Sequence, residues 1–171
     1  MRLRMRDIRE LVVKALFAEE FQDSGESVNG GPLWQLSYIA NDAEMSDRGD
    51  DMIALVATIT NNERARRLIE GVHENKNELD KIIARYSVDW GLDRLGVVEL
   101  TVMRMSLFEM LYGEKLAPAI VINEAVDIIK KYGQPEAAAF VNGILGKKAY
   151  ELAAEERITG GANGADKVLC E

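Results

Sequence analysis

Apolar residues Ile8, Leu11, Val12, Ala15 and Leu16 step by threes and fours, which predicts an amphipathic helix from about residue 6 to 21. That stripe leaves Arg6, Arg9 and Lys14 mainly outside. The same period returns between about 51 and 86, where Leu68, Ile69, Val72, Leu79, Ile82 and Ile83 supply the apolar positions. Asn61-Asn62 interrupts it, so two helices are expected there. Residues 97 to 113 behave differently: Leu100, Met103, Leu107, Met110 and Leu111 occupy one side, and Val98, Val102, Met105 and Phe108 the other. A helix apolar nearly all round belongs in the middle of a bundle. Two further helices meet at a sharp corner, with Gly133 suited to a left-handed residue closing one and Pro135 suited to the first turn of the next. No segment alternates with a period of two and no repeat is visible, so the expected fold class is all-α.

The connection between the first two helical regions is long. Ser24-Gly25, Asn29-Gly30-Gly31-Pro32 and Asp47-Arg48-Gly49-Asp50-Asp51 are dense in turn formers. Leu33, Trp34, Leu36, Tyr38 and Ile39 interrupt them and are expected to pack as a short element over the domain. The chain reads as one helical domain over residues 1–156, with a long connection within about 23–60 and a flexible Gly-containing tail over 157–171.

Composition narrows the chemistry. No apolar run reaches the ~18 residues of a membrane span, and no secretory leader is visible, so a cytoplasmic protein without membrane association is expected. Cys170 is the only cysteine and His73 the only histidine, which excludes an internal disulfide, a Cys/His catalytic pair and a single-chain metal site of those ligands. No cofactor is expected. The formal charge of −8 opposes indiscriminate nucleic-acid binding, but five basic side chains against Asp7 and Glu10 leave residues 1–14 with three positive charges. A run of this kind, with Arg2, Arg4, Arg6 and Arg9, is either a solvated face or an RNA-binding segment, and the charges alone do not choose between the two.

Other residues have a structural and a functional reading. Arg104 lies in an apolar run and needs a carboxylate partner, for which Glu124, also among apolar neighbours, is the candidate; a structural ion pair is expected rather than catalysis. Gly143 and Gly146 fall inside a helix at ~1 kcal/mol each relative to alanine, a cost that close packing of a neighbouring helix would offset. The alternative, a phosphate loop, lacks the spacing, the Ser or Thr and the preceding strand. Asp127 and Lys131, four apart with the acid first, read as a surface pair. His73 reads as a surface or interface residue.

Ile122-Asn123-Glu124-Ala125-Val126, followed after Gly133 and Pro135 by Phe140-Val141-Asn142-Gly143-Ile144-Leu145, resembles the C-terminal half of the NusB family of bacterial transcription antitermination factors. Ile8–Phe17, Leu68–Val72, Leu79-Asp80, Trp90 and Glu99–Glu109 follow in that family's order. The resemblance spans nearly the whole chain except residues 23 to about 60 and the last dozen or so. It implies the NusB-type fold of two packed helical subbundles.

It also implies a function: a noncatalytic factor that pairs with the ribosomal protein NusE and binds single-stranded boxA RNA, within the RNA polymerase antitermination complex, during ribosomal RNA transcription. Family members hold the RNA with an arginine-rich N-terminal segment, and Arg6 and Arg9 match arginines of that pattern, with Arg2 and Arg4 beside them. Guanidinium groups suit the task because they pair with phosphates in a fork and stack on unpaired bases. Asp7 stands where another arginine is common, and Ala139 where a basic residue precedes the FVNG sequence, so both lower the positive potential along the expected RNA path. The NusE face of the family maps to Phe17 and Glu99. Two alternatives remain: a helical adaptor with weakened RNA binding, and an accessory module related to the N-terminal domain of a ribosomal RNA cytosine methyltransferase, although no cofactor-binding strand-and-glycine motif is present. A homodimer of the free protein stays open.

Overall fold

The computed structural model describes residues 4–20, 57–87, 95–113 and 116–162, with side chains in the last stretch described through 155. Leu33, Trp34, Leu36, Tyr38, Ile39, Trp90 and Arg2 lie outside the described residues. Six helices form the frame: α1 (Met5–Glu20), α2 (Glu63–Glu74), α3 (Lys76–Tyr86), α4 (Val97–Tyr112), α5 (Pro118–Tyr132) and α6 (Ala137–Ala162). A helical turn over residues 57–60 precedes α2, and no strand occurs among the described residues. The fold is all-α. No described helix is long and apolar enough to cross a membrane.

Local sequence chemistry sets the boundaries. Asn62 caps α2, its side-chain oxygen accepting from Ala65 N at 3.0 Å, so the break expected at Asn61-Asn62 is a capped helix start. A second break at Asn75 separates α2 from α3, with the Asn75 backbone N–H and Nδ2 both donating to Gly71 O, at 3.1 and 2.8 Å. Pro118 opens α5, where its missing N–H costs nothing. At the α5–α6 corner, Pro135 lies in the turn before α6. Gly133 closes α5 in extended backbone, φ −101° and ψ −161°, and not in the expected left-handed conformation. The reason for glycine there is space, since a Cβ would lie 2.7 Å from Glu99 Oε1. Helix α6 continues through Ala162, into the stretch 157–171 expected as the tail.

Helix α4 packs on every other helix. Helices α1 and α2 pair with each other as they pack on it, and so do α5 and α6, with α3 touching α2, α4 and α6. Its Val102, Met103, Met105 and Leu107 are fully buried, together with Val12, Leu79, Ile83, Ile129, Val141 and Leu145 from the surrounding helices. Phe108 lies against the backbone of Gly71, where a Cβ would fall 2.0 Å from the ring, so glycine permits the close approach of α2 to α4.

Candidate functional site

Helix α4 carries three buried charges, Glu99, Arg104 and Glu109, spaced five residues apart. At 3.6 residues per turn, each lies about 140° round the helix from the last, so they point to three sides and leave no polar face. Each meets a partner on a different element. Glu109 accepts two hydrogen bonds from Arg9 of α1, Nε to Oε2 at 2.8 Å and Nη2 to Oε1 at 2.6 Å. Arg104 donates to both oxygens of Asp80 on α3, at 2.7 and 2.8 Å, and to Glu20 Oε1 on α1 at 2.9 Å. Glu99 Oε1 accepts from the backbone N–H of Gln134 at 2.8 Å, tying the start of α4 to the α5–α6 corner.

These contacts correct four expectations. Arg104 is buried and paired as expected, but with Asp80 and Glu20 instead of Glu124, because its side chain leaves α4 toward α1 and α3 while Glu124 belongs to α5. Glu124 Oε2 is buried without a hydrogen-bond partner among the described residues. Arg9, expected on the RNA face, is 3% exposed and committed to Glu109. It stands three and four residues before the buried Val12 and Val13, so it continues the core stripe. Glu99, expected at a protein interface, is 5% exposed and spent on the Gln134 backbone. Gly143 and Gly146 do not serve helix packing, since a Cβ at either position would meet nothing within 4 Å.

The remaining arginines stay at the surface. Arg4, 80% exposed in its side chain, forks onto Asp7 with bonds of 3.0 and 3.1 Å, and its backbone N–H also donates to Asp7. The Arg4 hydrogen bond holds the Asp7 carboxyl below the usual carboxylate range. Asp7 therefore neutralises Arg4. Arg6 is half exposed and lies 3.3 Å from Asp127 Oδ2 and 3.9 Å from Glu10 Oε1. Asp127 and Lys131, expected to pair with each other, instead reach across to α1: Lys131 Nζ and Tyr132 OH both donate to Glu10 Oε2, at 2.7 and 2.8 Å. Burial would raise the Glu10 carboxyl, but those two bonds outweigh it and hold it below its usual range.

At the far end of α1, Phe17 is half-buried. Beside it, Glu19 Oε1 is 2.6 Å from His73 Nδ1, and Glu20 Oε1 takes Lys76 Nζ at 2.5 Å as well as Arg104. His73 is thus a surface residue with an acidic neighbour. Glu109, Asp80 and Glu20 escaped sequence reasoning, although Glu109 carried a signal: like Arg104, it is a charge inside an otherwise apolar helix.

The model of the NusB family matches residues 6–149. A transcription antitermination protein NusB of Fervidobacterium nodosum is 32% identical over 152 residues, covering 89% of this chain and 94% of that protein. Among solved structures, NusB of T. maritima superposes with a TM-score of 0.64 at 31% identity, covering 88% of this chain and 94% of that one. A chain from the crystal structure of antitermination factors NusB and NusE in complex with dsRNA gives a TM-score of 0.60 at 22% identity over 86% of this chain and 96% of that one, a likeness of fold.

Proposed function

The chain belongs to the NusB family, and from that premise we propose that it is a noncatalytic, cytoplasmic RNA-binding antitermination factor that pairs with NusE and holds boxA RNA during ribosomal RNA transcription. The family match across residues 6–149 carries this reading. Its mechanism is assembly: NusE docks on the half-buried Phe17 and the acidic end of α1, and RNA follows the cationic N-terminal end of the same helix. Arg4 and Arg6, with Arg2 ahead of them, supply the phosphate contacts. Arg9 is withdrawn from that set by its burial, and Glu99 from the NusE face. A basic ribosomal protein meeting Glu19 and Glu20 is electrostatically sensible, and the assembled pair joins RNA polymerase. No bond is made or broken.

Two observations favour a second reading, the adaptor that has weakened its RNA binding: Asp7 neutralises Arg4, and Arg9 is buried. Reconstitution separates the two. Titrating labelled boxA RNA with this protein, with NusE and with both should give the tightest binding for the pair. Binding of NusE with no gain in RNA affinity would favour the adaptor, and failure to bind NusE would remove both readings.

A further inference from the structure

Arg6, Glu10 and Lys14 stand four apart on α1 and so share one face. Across from them α5 presents Asp127, Lys131 and Tyr132. The Tyr132 ring is 37% exposed and takes no part in the hydrophobic core. Two ammonium groups attend it: Lys131 Nζ lies 4.9 Å and Lys14 Nζ 5.4 Å from the ring centroid. Its hydroxyl is tethered to Glu10, so the ring is oriented before any ligand arrives. Lys131 spends one of its three donors on Glu10, and Lys14 has no carboxylate partner among the described residues. Arg6, Lys14, Lys131 and the neighbouring exposed Lys130 outnumber Glu10 and Asp127, which makes this seam locally positive on a protein of net charge −8.

An exposed, preoriented ring suits single-stranded nucleic acid once the two ammonium groups over it swing out to the phosphates, since bases stack on aromatic faces and ammonium groups track the phosphates. We infer that Tyr132 is the stacking platform for an unpaired RNA base, with Lys14 and Lys131 contacting the flanking phosphates. This continues the RNA path from Arg4 and Arg6 along α1 onto α5, and it rests on the RNA-binding reading above. Burying Arg9 leaves that path short of a cation on α1, and the seam supplies others one and two turns away.

The test uses the full chain with NusE and a fluorescein-labelled boxA RNA. Tyr132→Ala should weaken binding about tenfold, as expected for one lost stacked base. Tyr132→Phe should stay within about twofold of wild type, because the ring remains. Lys14→Gln with Lys131→Gln should reduce the slope of log K against log salt by about 1.4, or 0.7 for each phosphate contact on a single strand. Thermal melts identify any variant that fails to fold, and the lysine pair, judged on its slope, keeps the test decisive if Tyr132→Ala is such a variant. Equal loss in Tyr132→Ala and Tyr132→Phe would make the residue a brace between α1 and α5 and overturn the inference. So would wild-type affinity in Tyr132→Ala or an unchanged slope in the lysine variant. A wild-type pair that ignores the RNA would instead remove the RNA reading itself.

Discussion

Arg9 and Glu109 meet fork to fork inside the domain, 3% and 4% exposed, joining α1 to the central helix α4 across a hundred residues of chain. Their bidentate geometry satisfies both carboxylate oxygens, which is the condition under which a buried pair offsets its own desolvation. Either partner alone would be an uncompensated buried charge.

Arg9→Met should therefore destabilise the protein by about 3–5 kcal/mol, and adding Glu109→Leu should recover most of the loss, because an apolar pair of similar volume is often neutral in such a site. Urea denaturation of the two single variants and the double variant checks this. Additive losses would mean that the two side chains act independently.

Arg104 serves two carboxylates, so Arg104→Met should cost about 3 kcal/mol, chiefly by stranding Asp80, since Glu20 keeps Lys76. Glu124→Gln should cost far less, and removing its charge should if anything stabilise, since its buried Oε2 has no described partner to lose. Thermal melts of both variants rank them, and a larger loss in Glu124→Gln would restore Glu124 as the structural acid.

Gly143→Ala and Gly146→Ala should each stabilise by up to about 1 kcal/mol, because alanine is the better helix former and its methyl group meets open space. Gly133→Ala should destabilise, since its methyl group would press on the Glu99 carboxylate that holds Gln134. Melting temperatures moving in opposite directions are the expected result.

The acid limb of stability should report Glu10. Its folded pKa is depressed by Lys131 and Tyr132, so its contribution is present above the unfolded value of about 4.3 and is lost as pH falls through the lower folded value. Glu10→Gln should flatten the dependence of unfolding free energy on pH in that acidic window and leave the slope near neutrality unchanged. Denaturation series at stepped pH provide the comparison.

Phe17→Asp should weaken NusE binding without unfolding the domain, because a half-buried ring at the end of α1 can be replaced at the surface more cheaply than a core residue. Calorimetric titration measures the affinity, and circular dichroism the fold. Unchanged affinity would place the NusE contact elsewhere.

Periodicity and local capping were enough to place most of the helices, though not the break at Asn75 or the extended backbone of Gly133. The stripe of α1, the break at Asn61-Asn62, the corner between α5 and α6 and the central place of α4 are properties of residues within a turn or two of one another. The wording of Ile122–Val126 and Phe140–Leu145 likewise carried the family. What the sequence could not determine was which charge meets which. Arg9 looks like a surface arginine from its neighbours, and only the packing of α1 on α4 places Glu109 against it. Arg104 had several carboxylates available, and the direction in which it leaves α4 selects Asp80 and Glu20. Tyr132 and Lys14 are 118 residues apart in the chain and share a seam only because α1 and α5 both lie on α4. Helix formation is decided by neighbours in sequence, whereas charge pairing depends on distances of a few ångströms that tertiary packing alone creates.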